Sequence, residues 1–170
     1  KTVSFKLDET LIVLPFAEKS DIFALMEQDF KGMTKKSRSF ADVRSDAEEM
    51  AEKKLSLKGQ MTLAAVYDVL MKQCDITEEQ RDTLMKRECE LYEQFAIPRN
   101  SGLTLFNKAL SGKKKIIITY MGIYPREMIK RILEKCGYIG YNILILHNEL
   151  TVPASAETAF LDIVLKKAKG

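Results

Sequence analysis

The sequence predicts an α/β fold of the Rossmann-like type, with a small parallel sheet and a large helical insertion after the first strand. Three short apolar runs, rich in Ile, Val and Leu, have the pattern of parallel strands covered on both faces: 3–5, 116–119 and 143–146. Between the first two runs, roughly a hundred residues show helical periodicity throughout.

The helices of the insertion are predicted from their start signals. Ser20 and Ser39 stand before amphipathic segments and are expected to act as N-caps, as is Thr62 further along the chain. Thr77 and Gln80 have the spacing of a capping box, which predicts the start of the longest helix of the insertion.

The chain then returns to the sheet. Pro98 and Gly102 are expected to punctuate this return, and "SGLTLFNKALSG" predicts a short helix ending at Gly112. A helix from Pro125 to the stop at Gly137 connects the second and third strands as a βαβ crossover. The final segment, "ASAETAFLDIVLKKAKG", predicts another amphipathic helix with a basic end.

The composition is that of an ordinary globular protein. Of the 170 residues, 46% are hydrophobic and 30% are charged, and the net charge of +3 is spread along the chain, so we expect no nucleic-acid partner. The apolar stretches are too short to span a bilayer, so we expect no membrane association. Three widely separated cysteines predict reduced thiols and a cytoplasmic location.

The first strand ends in a cluster of charged side chains. In "TVSFKLDETLI" the strand runs into Asp8, Glu9 and Thr10, and Lys6 stands at its end. Because open α/β sheets place their chemistry at the carboxyl ends of the strands, this cluster is the candidate active site.

This layout and four segments resemble the haloacid dehalogenase-like (HAD) phosphohydrolases, in the C1-capped branch whose first motif is similar to "SFDxFDTL". The segments are "SFKLDETLIVLPF", "AIPRNSGLTLFNKAL", "KKIIITYMGIYPREMIKRILEKCGY" and "YNILILHNELTVPASAETAFLDIVLKK". The resemblance implies an α/β core at 1–14 and 101–170 and a helical cap at 15–100. It also implies a truncated core, because no fourth strand is predicted before residue 170.

The resemblance also implies which residues occupy the catalytic positions. In the family, a first-motif aspartate attacks phosphorus and binds Mg²⁺, and an acid two residues later moves the proton. Here the nucleophile position falls on Lys6, the acid on Asp8, and Thr10 keeps the motif's threonine. The second-motif hydroxyl falls on Thr119, or on Tyr120 if the alignment is moved by one residue.

The remaining catalytic positions of the family lack residues that could perform its chemistry. The third-motif lysine falls near Ala154 or Ser155, and the fourth-motif acidic pair has no counterpart. An ammonium group cannot bind Mg²⁺ and places positive charge where the metal would lie, so no cofactor is expected. An ion pair of Lys6 with Asp8 or Glu9 would take the place of the metal bridge.

The main hypothesis is therefore a catalytically silent HAD-like domain, either a natural pseudoenzyme or an inactivated or redesigned variant. It would act as a binding or scaffold module, with a protein partner or a second copy bound through an edge strand or the helical cap. Anion binding by Lys6, Thr119 and the amides near Pro125 is a further hypothesis. The alternative is a Mg²⁺-dependent phosphohydrolase for sugar phosphates and similar metabolites, with Asp8, Thr10 and Thr119 as its catalytic remnants.

Two other features have simpler interpretations. His147 ends the third strand and is expected at the surface or in a capping role, because no second histidine exists to share a site. The basic run "KGMTKKSRSFADVR" offers a charged face for a protein partner, but the favoured interpretation is a solvated face.

Overall fold

The fold is taken from a computed structural model, which describes residues 1–18, 20–34, 38–55, 61–150 and 157–169. Its strands are β1 (Thr2–Lys6), β2 (Ile12–Val13), β3 (Ile97–Pro98), β4 (Lys115–Tyr120) and β5 (Ile143–Leu146). Its helices are α1 (Asp21–Ala24), α2 (Glu27–Lys31), α3 (Phe40–Leu55), α4 (Leu63–Cys74), α5 (Glu78–Phe95), α6 (Asn100–Ser111), α7 (Arg126–Lys135) and α8 (Glu157–Lys169).

The core is a three-stranded parallel sheet in the order β1-β4-β5, as the sequence predicts. One face contributes Phe5, Ile116 and Ile118 to the main hydrophobic core. On the other face, Ile117 packs in a second cluster with Phe160 of α8. In the described sheet β1 and β5 are the two edge strands. The pairing of a partner with one of them stays a prediction.

The insertion between β1 and β4 is almost entirely helical. Helices α1 to α5 lie between β2 and β3, which pair in an antiparallel ribbon. The ribbon joins the place where the chain leaves the sheet to the place where it returns, because Ile12 pairs with Pro98 and Val13 with Ile97. The predicted insertion after the first strand is confirmed, whereas the boundaries 15–100 stay a prediction.

Most of the predicted helix starts are confirmed by hydrogen bonds. Ser39 and Thr62 each accept a bond from the backbone amide three residues later, at 3.1 and 3.2 Å, and Thr77 and Gln80 form the capping box. The prediction for Ser20 is wrong, because its backbone is in the α-helical region and its side chain makes no capping bond. The helix predicted there is divided into the short α1 and α2.

Gly102 does not punctuate the chain as predicted, because it lies inside α6 and is buried. A Cβ atom at this position would come within 2.2 Å of the Thr10 carbonyl oxygen and 3.1 Å of the Leu11 Cα. Glycine therefore allows α6 to lie directly against the backbone that follows β1. The Tyr138 hydroxyl donates a hydrogen bond to the Leu11 carbonyl at the same contact.

A buried charge network joins the insertion to the sheet. The Arg44 Nε and Nη2 atoms donate to the Glu88 carboxylate at 2.8 and 2.9 Å, and both side chains are at most 1% exposed. The hydroxyls of Tyr67 and Tyr124 donate to the same carboxylate at 2.7 and 3.0 Å. Because Tyr124 follows β4, the network spans both parts of the fold. The interpretation of the basic run as solvated is wrong for Arg44.

Three further expectations concern His147, the cysteines and membrane-spanning helices. His147 is only 5% exposed and its ring lies 5.5 Å from the Phe160 ring, so the expected surface position is wrong. No disulfide joins Cys74, Cys89 or Cys136, all of which belong to the described residues. Among the described helices, none has the length and apolar character that crossing a membrane requires.

Candidate functional site

A cleft of about 370 Å³ opens where β1 and β4 end, and we call it the Lys6 cleft. Parallel strands bring their carboxyl ends to one edge of the sheet, and here Lys6 is opposite Thr119 in the strand register. The cleft thus gathers three of the four predicted site residues. Thr10 is half-buried and is not among the lining side chains. The lining includes Lys6, Asp8, Glu9, Tyr92, Arg99 and Thr119.

A tight turn after β1 positions the acidic residues. The Leu7 amide continues the strand by donating to the Thr119 carbonyl at 2.8 Å, and the Leu7 carbonyl accepts from the Leu11 amide at 3.1 Å. Glu9 closes the turn with a positive φ of 68°, a conformation that few residues with a side chain adopt. Asp8 is half-buried inside the turn, and Glu9 is exposed.

Asp8 receives a hydrogen bond from the insertion. The Tyr92 hydroxyl on α5 donates to the Asp8 Oδ1 atom at 3.2 Å, and the Tyr92 ring packs 4.4 Å from the Tyr124 ring. Burial and the charge of Asp8 raise the pKa of Tyr92, so this hydroxyl keeps its proton at neutral pH. The sequence offers no local signal for this role, since Tyr92 belongs to an ordinary amphipathic helix.

Lys6 does not form the expected ion pair. Within the described ranges, no carboxylate lies within ion-pairing distance of Lys6 or Arg99. The hypothesis of a Lys6 bridge to Asp8 or Glu9 is therefore wrong for this structure; Tyr92 contacts Asp8 instead. Both cationic side chains are exposed and line the same cleft.

Arg99 was not expected at the site. Its backbone amide donates to the Leu11 carbonyl at 2.8 Å, which fixes the returning chain beside the turn after β1. The pairing of β2 with β3 brings Arg99 to the cleft that Lys6 also lines, and these strands are two residues long. Such short strands leave no periodic signal in the sequence.

Of the two candidates for the second-motif hydroxyl, Thr119 lines the Lys6 cleft and Tyr120 lines another cavity, and the motif assignment stays a prediction. Thr119 is 6% exposed, and its Oγ1 donates to the Phe5 carbonyl at 3.3 Å. Its single proton would have to leave that bond to reach an anion. Pro125 lines a different cavity, so the start of α7 does not contribute its amides to the Lys6 cleft.

The donor set of the cleft does not fit Mg²⁺. This ion takes several oxygen ligands in a near-octahedral arrangement, and one or two carboxylates usually provide the protein's share. The carboxylates that line the cleft, Asp8, Glu9 and Glu18, share it with two cationic side chains, and Asp8 accepts a hydrogen bond from Tyr92. Throughout the described residues, no three His, Cys, Asp or Glu side chains form a group that could hold a metal. The predicted third-motif positions, Ala154 and Ser155, lie outside the described residues.

No protein family model matches the chain, and no curated protein matches its sequence. Solved structures do match its fold. A Thermotoga maritima protein assigned as a β-phosphoglucomutase is 10% identical with a TM-score of 0.64, over 100% of this chain and 71% of its own. A HAD family enzyme from Bacteroides thetaiotaomicron is 15% identical with a TM-score of 0.59, over 100% and 79%.

A third structure, the L-2-haloacid dehalogenase of Xanthobacter autotrophicus, is 14% identical with a TM-score of 0.55, over 98% of this chain and 65% of its own. Because all these identities are low, the likeness is one of fold alone. It shows that the chain has a HAD-like fold, with a small parallel core and a helical insertion after the first strand.

Proposed function

We propose that this HAD-like domain binds anionic, phosphorylated small molecules in the Lys6 cleft and does not hydrolyse them. The observation that carries this proposal is the position of Lys6 at the end of β1, in one cleft with Asp8 and Arg99. An ammonium group there attracts a phosphate group but cannot attack phosphorus as a carboxylate does. Similar structures include one assigned as a β-phosphoglucomutase and one predicted as a phosphoglycolate phosphatase, which suggests phosphate esters as ligands.

The rival function, Mg²⁺-dependent hydrolysis, would require Asp8 to attack phosphorus. The Tyr92 hydroxyl is bonded to one of its oxygens, and attack requires reacting atoms about 3–3.5 Å apart and aligned. Hydrolysis would also require a metal site, and within the described residues no three His, Cys, Asp or Glu side chains form a group that could hold a metal. Both requirements favour binding without turnover.

Binding in this cleft should be weak and should depend on salt. Lys6 and Arg99 attract an anion, whereas Glu9 and Glu18, which also line the cleft, repel it. Two unit charges 4 Å apart near a protein surface interact by about 4 kcal/mol before desolvation. The attraction by the two cationic side chains and the repulsion by the two carboxylates therefore largely offset each other. We therefore expect dissociation constants on the order of 1 mM, which corresponds to about −4 kcal/mol.

Calorimetric titration with glucose 6-phosphate tests the proposal. Replacing Lys6 by methionine removes the charge but keeps an unbranched side chain only one atom shorter, and we expect at least about tenfold weaker binding, or about 1.4 kcal/mol. Added salt should weaken wild-type binding, since exposed charges are screened.

Lys108→Met is the matched control, because Lys108 is an exposed lysine on α6 that does not line the cleft. Its binding should equal that of the wild type. Equal affinities of the wild type and Lys6→Met would contradict the proposal, and so would a wild-type protein without any binding heat.

A further inference from the structure

We propose that the end of the fold opposite the Lys6 cleft docks on an anionic lipid surface. Six lysines from two segments form this surface, which we call the basic end: Lys113, Lys114, Lys115, Lys166, Lys167 and Lys169. The first three lie at the start of β4, and the others lie in the last turn of α8. The basic end is therefore at the amino ends of the strands, whereas the Lys6 cleft is at their carboxyl ends.

Hydrogen bonds bring the two segments of the basic end together. The Thr2 hydroxyl donates to the Ala168 carbonyl at 3.0 Å, so α8 ends beside the first residue of β1. Lys115 is opposite Thr2 in the strand register, and its Nζ atom donates to the Lys167 carbonyl at 2.8 Å. Both bonds join residues at least 52 positions apart. The fold thus gathers charges that are spread along the sequence.

The charge of the basic end is not neutralised by neighbouring carboxylates. Within the described ranges, none of its six lysines forms an ion pair. The segments that meet at this end of the sheet contain no aspartate or glutamate: 1–4, 105–116, 136–143 and 163–169. Four of the six lysines are exposed and two are half-buried. Such a concentration of one sign of charge attracts an anionic partner.

Exposed aliphatic side chains lie beside these lysines. Ile139 is 65% exposed, the highest value among the exposed large apolar side chains that the structure describes. It precedes Gly140, where a Cβ atom would lie 3.2 Å from the Leu110 Cδ1 atom, and Leu110 is itself 41% exposed. The Lys113 amide donates to the Leu110 carbonyl at 3.0 Å, so this apolar pair adjoins the basic end.

The combination of lysines with aliphatic side chains favours a lipid surface over a nucleic acid. On α8 the exposed Leu161 and Leu165 lie one turn apart, directly before the lysines of the last turn. Aliphatic side chains enter the boundary between headgroups and acyl chains, while lysines stay with anionic headgroups. Single-stranded nucleic acids are bound instead by aromatic stacking, and none of the exposed large apolar side chains among the described residues is aromatic.

This proposal departs from the expectation of no membrane association. That expectation rested on the lack of an apolar stretch long enough to span a bilayer, and a protein that docks on the surface needs no such stretch.

Co-sedimentation with lipid vesicles tests the proposal. We expect binding to vesicles of phosphatidylserine and phosphatidylcholine in equal parts, and at least about tenfold weaker binding to pure phosphatidylcholine. Each lysine near an anionic surface strengthens binding about fivefold, which corresponds to about 1 kcal/mol. The triple variant Lys166→Gln, Lys167→Gln, Lys169→Gln should therefore bind the phosphatidylserine vesicles roughly a hundredfold more weakly.

The triple variant Lys54→Gln, Lys72→Gln, Lys86→Gln is the matched control. These are exposed lysines on α3, α4 and α5, so the variant loses the same net charge from the helical insertion. It should bind the phosphatidylserine vesicles like the wild type.

A further variant separates a lipid surface from a polyanion. Ile139→Ser should weaken binding to the phosphatidylserine vesicles by about tenfold, because only a lipid surface buries this side chain. Binding to polyuridylate should be unchanged in Ile139→Ser and weaker than vesicle binding in the wild type. No binding to the phosphatidylserine vesicles, an equal loss in the control variant, no effect of Ile139→Ser, or tighter binding to polyuridylate would each overturn the proposal.

Discussion

Replacing Glu88 by alanine is expected to lower the free energy of unfolding by roughly 3–5 kcal/mol, the usual loss when one partner of a buried ion pair is removed. Glu88 is fully buried and accepts from the Arg44 guanidinium and from the hydroxyls of Tyr67 and Tyr124. Burial opposes the charge of Arg44, but Glu88 more than offsets this and raises the Arg44 pKa. Without Glu88, Arg44 keeps its charge in an apolar site, with only the Glu48 carboxylate at 2.7 Å.

Urea unfolding followed by far-UV circular dichroism measures this loss. Glu90→Ala is the matched control, because Glu90 lies on the same helix but is exposed, with lysine and arginine contacts at 3.7 and 3.9 Å. Such surface pairs contribute about 0–1 kcal/mol. If Glu88→Ala were no more destabilising than Glu90→Ala, the network would not hold the insertion to the core as described.

Gly102→Ala is the second change with a large expected effect. Helix propensity alone predicts that alanine stabilises α6 by about 1 kcal/mol. The added Cβ, however, would lie 2.2 Å from the Thr10 carbonyl oxygen and 3.0 Å from the Tyr138 hydroxyl. Overpacking a closed contact costs about 1–3 kcal/mol and occasionally more, and a backbone oxygen cannot rotate away. We therefore expect a net destabilisation of about 2 kcal/mol, measured by the same urea unfolding.

Gly32→Ala is the control for this prediction, since nothing lies within 4 Å of a Cβ at that position. Its φ of −80° suits alanine, so the change in stability should stay within about 0.5 kcal/mol. A Gly102→Ala variant as stable as wild type would mean that α6 does not approach the turn after β1 as closely as described.

The strands and most helix starts could be predicted because their signals are local. An uninterrupted apolar run such as 116–118 is central to its sheet, and the capping box at Thr77 is complete within four residues. Ser20 shows the limit of the same rule. A capping side chain needs an extended backbone, and the chain before α1 does not adopt one.

Features that join distant segments could not be predicted from such signals. Arg44 and Glu88 are separated by 44 positions, so each has the pattern of a surface charge until the helices pack together. In the local sequence Gly102 has the pattern of a helix breaker. The reason for this glycine is a contact in space with the Thr10 carbonyl, which is distant in the sequence. In both cases a contact between distant segments, and not the local sequence pattern, determines the role of the residue.

The residues of the candidate site also fall into a group that the sequence could place and a group that it could not. Lys6, Asp8 and Thr119 could be placed together because parallel neighbouring strands end at one edge of the sheet. Arg99 and Tyr92 reach the site from the end of the insertion, and no pattern within the insertion shows which helix face meets Asp8. The sequence therefore shows Lys6, which carries the proposed chemistry of the cleft, but not the side chains that the insertion adds beside it.

The most direct test of binding without turnover is ³¹P NMR of glucose 6-phosphate with the protein and Mg²⁺. We predict broadening of the ester signal that Lys6→Met reverses, with no inorganic phosphate beyond that of a protein-free sample. Steady Mg²⁺-dependent release of phosphate that Asp8→Asn abolishes would contradict the account, because Asp8 would then be acting as a nucleophile.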